Sequence, residues 1–213
     1  MAKKTEQRIL QAALHRFNKQ GYLNVILQRI ADEANISVGN LAYHYPNKHS
    51  LLEVLAAEWE SQWQLLLTDL QLTPIFENFN RFLQATYDVQ KQYQFIYIDQ
   101  LGLIRNYPKI KTQLQEYFLR QNTQLEILLE LYIARGVLDP KGINIATIAK
   151  KIRRIMDNWR RQHLIEDQED LQLETFQSDI WLEMKYYFTT TGLAEYQELT
   201  ITNSEKIDTG AGK

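Results

Sequence analysis

Apolar residues recur at spacings of three and four along almost the whole chain, which is the periodicity of an amphipathic α-helix. Ile9, Ala13 and Phe17 show this spacing near the N-terminus, and Phe79 and Leu83 show it further along. The 213 residues include only 8 glycines and 4 prolines, so long helices are rarely interrupted. No segment shows the strict alternation that is typical of strands. The sequence therefore predicts an all-α protein.

The composition excludes several kinds of chemistry. The chain has no cysteine, which rules out disulfides, thiolate zinc sites and cysteine nucleophiles. It shows no Ser-His-Asp arrangement, phosphate loop, zinc motif or nucleotide fingerprint. The four histidines lack the spacing of a metal site; they are His15, His44, His49 and His163. We therefore expect neither an enzyme nor a protein that holds a metal or a cofactor.

The N-terminus carries spaced apolar residues instead of the continuous apolar run of a signal peptide. No run approaches the roughly 18 apolar residues that a membrane span needs. We therefore expect a cytoplasmic protein without a membrane segment.

Charge is unevenly distributed along the chain. Residues 1–50 contain seven Lys or Arg and three acids, a net charge of +4, although the whole chain has a net charge of -2. A basic N-terminal segment on an acidic body favours a polyanionic partner at that end. The most basic later stretch, residues 150–162, is either a solvated helix face or a contact for an anionic effector.

The first fifty residues show the signals of three helices in succession. The first helix covers residues 6–19, and Gly21 can take the left-handed conformation that ends it. A second short helix begins near Leu27 and stops at Asn35, a residue type that tolerates positive φ. Ser37 is placed to cap a third helix.

The third helix must be short, because Pro46 disfavours helical backbone at the residue before it. Its sequence is rich in hydroxyls, amides and small residues, which are the groups that reach phosphates and base edges. A further helix then runs from about Asn47 towards Leu70. Two short helices joined by a tight turn form the helix-turn-helix layout, whose second helix enters the DNA major groove.

The remaining sequence predicts more helices. One buried helix, residues 95–107, is expected to break at Gly102, and the last two long helices are expected at about 143–165 and 174–198. The sequence thus predicts three parts: a DNA-binding head, residues 1–48, linked through helix 47–70; a helical ligand-binding and dimerisation domain, residues 49–201; and a disordered tail, residues 202–213.

The segment TEQRILQAALHRFNKQGYLNVILQRIADEANISVGNLAYHYPNKHSLLEVL resembles the DNA-binding head of TetR-family (TetR/AcrR-type) transcriptional regulators. The matching features keep their order and spacing; they are Phe17, Gly21, Tyr22, Ile30, Ala31, Ser37, Gly39, Asn40, Leu41, Tyr43, His44, Tyr45, Lys48 and Leu51. The resemblance implies an all-α fold in which a helix-turn-helix head is joined to a helical bundle. It also implies a homodimer that binds a palindromic operator in duplex DNA and responds to a small-molecule effector of unknown identity, usually as a repressor.

The resemblance also implies roles for individual residues. DNA contacts are expected from nine positions: Gln28, Ser37, Val38, Gly39, Asn40, Ala42, Tyr43, His44 and Lys48. Gly39 would permit close approach to the DNA backbone, and Lys48 would pair with a phosphate. His44 is expected to contact phosphate, with a structural histidine as the alternative. Leu41 and Tyr45 are expected to face the core.

The chain departs from the family pattern at three places. Val25 and Ile26 stand where Thr or Ser often caps the second helix. Val38 replaces a frequent Lys, and Ala42 replaces the first residue of a frequent Tyr-Tyr pair. These changes predict either an unusual operator, with thymine methyl groups contacted by Val38 or Ala42, or weakened DNA binding. A helical adaptor of the same fold that has lost DNA binding is the alternative.

Two further sets of residues are predicted in the body. Aromatic residues at helical spacing are more often core than ligand site, but bundles hold ligands between their helices. The predicted pocket residues are Trp63, Phe79, Phe82, Tyr97 and Tyr117. Dimerisation is expected through the last two long helices, packed as a four-helix bundle with their twofold mates. The predicted interface residues are Ile155, Trp159, Ile180, Trp181, Met184 and Phe188.

Overall fold

The computed structural model describes residues 2–69, 75–166 and 171–210. Within these ranges the chain forms helices and one isolated bridge, so the all-α prediction is confirmed. The helices are α1 (Ala2–Gln20), α2 (Leu27–Glu33), α3 (Val38–His44), α4 (Lys48–Asp69), α5 (Phe76–Gln92), α6 (Gln94–Ile98), α7 (Gln100–Asn106), α8 (Pro108–Ala134), α9 (Ile145–Ile165), α10 (Leu173–Lys185) and α11 (Thr190–Gly210), with a 3₁₀ turn at Tyr22–Asn24. None of the helices in these ranges has the length and apolar content needed to cross a membrane.

The chain forms two compact units. The first contains residues 1–64 and 88–117, and the second contains residues 65–87 and 118–213. The predicted boundary lies after residue 48. The first unit instead combines the head with the start of α4, with α6 and α7, and with the start of α8.

The core of the first unit begins at α1. Ile9, Ala13 and Phe17, the apolar stripe predicted for this helix, are fully buried. The Phe17 ring lies 5.0 Å from the Tyr22 ring in the 3₁₀ turn and 5.4 Å from the Phe95 ring in α6. Burying rings of this size is a large part of what stabilises a small helical unit. The α1 helix is therefore held by both its own turn and α6.

Aromatic rings also dominate the core of the second unit. The Phe76 ring lies 5.1 Å from the Tyr132 ring, 5.0 Å from the Trp181 ring and 5.0 Å from the Phe188 ring. The backbone N–H of Phe76 donates to a Glu195 carboxylate oxygen at 2.8 Å, which satisfies a donor at the start of α5. The cluster therefore joins α5, α8, α10 and α11.

The predicted break at Gly102 is wrong. The helical segment divides at Asp99, between α6 and α7, and Gly102 lies inside α7. A Cβ atom at Gly102 would lie 3.0 Å from Cδ1 of Leu23, a tight contact. The glycine therefore permits a close approach of the 3₁₀ turn to α7 and does not mark a helix end.

The helix predicted at residues 174–198 is divided into α10 and α11. The break is formed by the chain around Leu138 and Phe188, which pair as an antiparallel bridge. The Thr189 N–H donates to the Val137 carbonyl at 3.1 Å. The tail predicted to be disordered from residue 202 continues as α11 to Gly210, and residues 211–213 lie outside the described residues.

Candidate DNA-binding surface

The turn between α2 and α3 has the expected geometry. Asn35 adopts φ +52°, and the Ile36 N–H donates to the Ala31 carbonyl at 3.0 Å. The Ser37 hydroxyl accepts the Asn40 N–H at 3.1 Å and caps α3. These contacts explain the short connection, because positive φ reverses the chain and the cap starts the next helix at once.

One face of α3 is presented to solvent. Tyr43 is 85 % exposed, whereas Leu41 is fully buried and anchors the helix to the core. Tyr45, just after the helix, is only partly buried. Most predicted DNA-contact residues lie at the surface of α3 or its cap, with Val38 partly exposed; they are Ser37, Val38, Gly39, Asn40, Ala42 and Tyr43. The result is a protruding face of small and polar groups with one aromatic ring.

The start of α2 also agrees with the predictions. Ile26 is its N-cap residue and makes no side-chain cap hydrogen bond, so the missing cap is confirmed. Val25, the residue before it, is buried. Gln28 is exposed, and its amide donates to the Asp32 carboxylate at 2.7 Å. Gln28 is thus accessible but already has one partner.

Lys48 lies at the start of α4, as predicted, and its ammonium contacts backbone carbonyls of the protein. Its ammonium donates to the carbonyl oxygens of Tyr22 at 2.8 Å, Leu23 at 3.2 Å and Val25 at 2.8 Å. It also lies 4.5 Å from the centre of the Tyr22 ring. Burial lowers the pKa of this ammonium. Because a lysine has three donors and all three are engaged, this geometry supports a structural role and leaves no donor for a phosphate.

His44 also faces the protein. Its side chain is 9 % exposed, and Nδ1 lies 3.4 Å from a Glu6 carboxylate oxygen in α1. The His44 ring meets the Tyr43 ring edge-on at 5.3 Å. The arrangement favours the structural alternative for His44 and leaves Tyr43 as the outward-facing member of the pair.

Tyr22 connects the head to α4 and α7 through three groups. Its N–H donates to Asp99 Oδ2 at 2.6 Å, and its hydroxyl donates to the Tyr107 hydroxyl at 2.7 Å. Its carbonyl accepts the Lys48 ammonium. Burial and the Tyr107 hydroxyl raise the pKa of Tyr22. Sequence reasoning missed Asp99 and Tyr107, although Asp99 is the one acid in the apolar stretch 95–104.

We expect Tyr107→Phe to lower the free energy of unfolding by about 1 kcal/mol, because the buried Tyr22 hydroxyl loses its partner. Tyr43→Phe removes a hydroxyl of the same kind from a solvent-exposed ring, and we expect no measurable change. Urea unfolding of both variants measures the difference. Equal stabilities for the two variants would contradict the role given to the Tyr22–Tyr107 contact.

The predicted pocket residues lie in two groups, one in each unit. In the first unit the Trp63 indole N–H donates to the Tyr97 hydroxyl at 3.0 Å, and the Trp63 and Tyr117 rings are 4.8 Å apart. In the second unit Phe79 and Phe82 stack at 6.0 Å. All five side chains are buried and pack as core, and their role in a ligand pocket stays a prediction.

The predicted dimer residues are mostly buried within the chain. Ile155 is partly exposed, and the other five are buried; they are Trp159, Ile180, Trp181, Met184 and Phe188. Their burial does not support a role as outward-facing interface residues. The same helices expose other apolar side chains, notably Ile165 at 70 % and Leu182 at 67 %.

Comparisons with known proteins agree with this architecture. The family described as "Bacterial transcriptional repressor" (TetR) matches residues 59–201, and the family described as "Bacterial regulatory proteins, tetR family" matches residues 9–55. The chain is 34% identical over 112 residues to the uncharacterized HTH-type transcriptional regulator TtgW of Pseudomonas putida, covering 49% of this chain and 84% of that protein.

Solved structures share the fold. A TetR-family transcriptional regulator from Marinobacter aquaeolei superposes with a TM-score of 0.78 at 22% identity, covering 94% of this chain and 97% of that one. The ketosteroid transcriptional regulator KstR2 of Mycobacterium tuberculosis gives 0.69 at 16% identity, covering 86% and 95%. The family matches cover both the helix-turn-helix and most of the body. The chain therefore belongs to the TetR family of DNA-binding transcriptional regulators, which are not enzymes.

Proposed function

We propose that the chain is a repressor that binds a palindromic operator as a homodimer and is released by a small-molecule effector. The observation that carries this proposal is the outward face of α3, where Gly39, Asn40 and Tyr43 are exposed beside a capped helix start. An amide and a phenol at these positions can reach base edges and phosphates, while the glycine leaves room for the DNA backbone.

The face of α3 also suggests what the operator contains. Ala42 is exposed and Val38 is partly exposed, so two apolar side chains stand among the polar ones. Apolar side chains discriminate thymine by contact with its methyl group. The Asn40 amide can pair with adenine in the same groove. We therefore expect an operator rich in A·T pairs within each half-site, with half-sites about 34 Å apart or a multiple of that distance.

We place the dimer contact on the exposed apolar residues of the last helices. Leu182 in α10 and Leu193 in α11 are exposed, as is Ile165 at the end of α9. A symmetric contact would remove these side chains from water, which is the main driving force of association. We propose these exposed side chains for the dimer contact in place of the buried residues that the helical pattern predicted for it.

Release by an effector follows from differential binding. An effector that binds better to a conformation whose heads are wrongly spaced shifts the population towards it and lowers DNA affinity by the same factor. In the first unit, α4 begins at Lys48, whose ammonium holds the carbonyls of the 3₁₀ turn. A displacement at the start of α4 would therefore move the turn that supports the head.

The proposed function is tested with a reporter gene placed behind DNA from upstream of the protein's own gene. We expect the chain to lower expression, and Asn40→Ala to abolish most of that effect, because the variant lacks a base or phosphate contact. Asn106→Ala is the matched control, because this exposed amide donates within α7, to the Gly102 carbonyl at 2.8 Å. Increased expression would establish an activator, and no change with either protein would favour the adaptor that has lost DNA binding.

A further inference from the structure

An open groove of about 670 Å³ runs along one face of α4 in the first unit. Six residues of α4 line it at helical spacing, from Ser50 to Ser61, a length of about 16 Å. His44 and Tyr45, at and just after the end of α3, and Lys109 near the start of α8 complete the lining. Sites for small molecules have volumes of roughly 300–1,000 Å³, so the groove is large enough for one.

The groove contains two carboxylates that differ in their partners. Glu53 accepts a hydrogen bond from the Lys109 ammonium at 3.1 Å. Glu58 is accessible to solvent and has no ion pair within the described part of the chain. Its partial burial raises its pKa, and no nearby basic group of that part opposes the shift. The Glu58 carboxylate is therefore the uncompensated charge of the groove.

The Tyr45 hydroxyl lies near the Glu58 carboxylate. Burial raises the pKa of Tyr45, and the negative charges of Glu6 and Glu58 raise it further. Glu6 already lies 3.4 Å from His44 Nδ1, so it has a partner of its own. Neither the Tyr45 hydroxyl nor the Glu58 carboxylate has a hydrogen bond in the ranges that the structure describes. The groove therefore offers two neighbouring groups that can each accept a hydrogen bond from a ligand.

Glu58 also borders a second, smaller groove of about 300 Å³. This groove lies along α1 and α4, and its lining includes Gln11. Of the two grooves, Tyr45 and Ala57 line only the larger one, whereas Gln11 lines only the smaller one. A ligand that contacts both Glu58 and Tyr45 therefore lies in the larger groove, and each groove can be blocked separately.

We propose that the larger groove binds a primary amine with a single positive charge, whose ammonium pairs with Glu58 and donates to the Tyr45 hydroxyl. An ammonium has three N–H donors, and hydrogen bonds between charged groups are the strong ones. A second positive charge on the ligand would meet the Lys109 ammonium and be repelled by it. Val54 and Ala57 provide apolar surface for the hydrocarbon part of the amine.

The position of the groove connects the site to the DNA-binding head. His44 is the last residue of α3, and its ring meets the Tyr43 ring edge-on at 5.3 Å. A bound ammonium cancels a negative charge near a residue that we propose to contact DNA, so it should strengthen binding to the phosphate backbone. This consequence rests on the proposed function, and the amine would be a second ligand whose effect opposes that of the releasing effector. Binding of the amine itself does not depend on DNA.

Isothermal titration calorimetry of the full chain without DNA tests the site. The probes are 1-naphthylmethylamine and octylamine, each compared with its alcohol and with its trimethylated form. We expect at least one amine to bind at least about tenfold more tightly than its alcohol, because a site built for a hydrogen-bonding group rejects the analogue that lacks it. The trimethylated form keeps the charge but has no N–H donor, so it should bind more weakly than the amine. Binding of neither amine, or equal binding of the amine and either analogue, would overturn the proposal.

Single substitutions locate the site. Glu58→Gln should weaken amine binding by about tenfold or more and Tyr45→Phe by less, whereas Glu130→Gln, at an exposed carboxylate of α8, should not change it. Ala57→Trp fills the larger groove and should abolish binding, whereas Gln11→Trp fills the smaller groove and should not. Glu58→Gln should also retain or raise the melting temperature of the free protein, because burial disfavours a carboxylate charge. A lower melting temperature for that variant, or loss of binding in Gln11→Trp instead of Ala57→Trp, would overturn the site.

A DNA titration separates this site from the proposed function. With genomic fragments selected by the protein, the amine should raise the DNA affinity of the unmodified chain by about twofold or more and leave that of Glu58→Gln unchanged. If the chain binds no DNA, calorimetry still decides whether the amine binds, so the proposed function can fail while the site stands. An amine that lowers DNA affinity, or raises it equally in Glu58→Gln, would overturn the link between the groove and DNA binding.

Discussion

We expect Lys48→Met to lower the free energy of unfolding by about 2 kcal/mol or more, because three carbonyl oxygens lose a charged donor at once. Methionine keeps the length and apolar stem of the side chain but cannot donate. The Tyr22, Leu23 and Val25 carbonyls all depend on this ammonium, so the 3₁₀ turn behind the head loses its support. Urea unfolding followed by circular dichroism measures the change.

The same variant distinguishes support from direct contact with DNA. If Lys48 holds the turn, its loss weakens operator binding while the dependence of affinity on salt keeps its slope. A lysine that contacts phosphate would instead reduce that slope by about one when it is removed. Lys91→Met, an exposed lysine at the end of α5, is the control for stability. If Lys48→Met leaves stability unchanged and reduces the slope of affinity against salt, Lys48 contacts a phosphate, as the resemblance implies.

We expect Gly192→Ala to destabilise the second unit by about 3 kcal/mol or more, at the upper end of what overpacking causes. A Cβ atom at residue 192 would lie 2.1 Å from the Val137 carbonyl oxygen and 3.5 Å from Phe188 Cβ. The Val137 carbonyl belongs to the backbone, so no side-chain rotation relieves the clash. It also accepts the Thr189 N–H, so displacing it breaks a contact at the α10–α11 break.

Gly39→Ala is the matched control for this effect. A Cβ atom at residue 39 would meet only the Ser37 hydroxyl, at 3.9 Å, which is an ordinary contact. Alanine is also the better helix former, by roughly 0.5–1 kcal/mol. Gly39→Ala should therefore retain or raise the melting temperature while Gly192→Ala lowers it. Similar melting temperatures for the two variants would contradict the close packing of α11 on the Val137 carbonyl.

Local signals in the sequence predict the head well because its geometry is set by single residues. Asn35 tolerates positive φ and Ser37 caps α3, and both act within a few residues of the chain. The exposed face of α3 follows from the same pattern, since Leu41 fixes which side is buried. The missing cap at Ile26 could be predicted for the same reason.

Contacts between distant residues explain what the sequence did not predict. The Lys48 ammonium reaches carbonyls more than twenty residues earlier, and backbone acceptors leave no trace in side-chain pattern. Gly102 and Leu23 approach across an even longer stretch of chain. In the helix predicted at 174–198, Trp181 and Phe188 share a stripe that fits either a dimer surface or a core, and helical period alone cannot distinguish these.

The most direct test of DNA binding through α3 is a titration of the full chain with duplex DNA at several salt concentrations, using genomic fragments selected by the protein itself. We predict tight binding to fragments that include its own upstream region. A dimer with roughly 6–10 phosphate contacts should lose about 10³–10⁵ in affinity between about 50 and 200 mM salt. A combined Asn40→Ala and Tyr43→Ala variant should bind these fragments no better than random DNA. No enriched fragment, or equal binding by that variant, would contradict DNA recognition through α3.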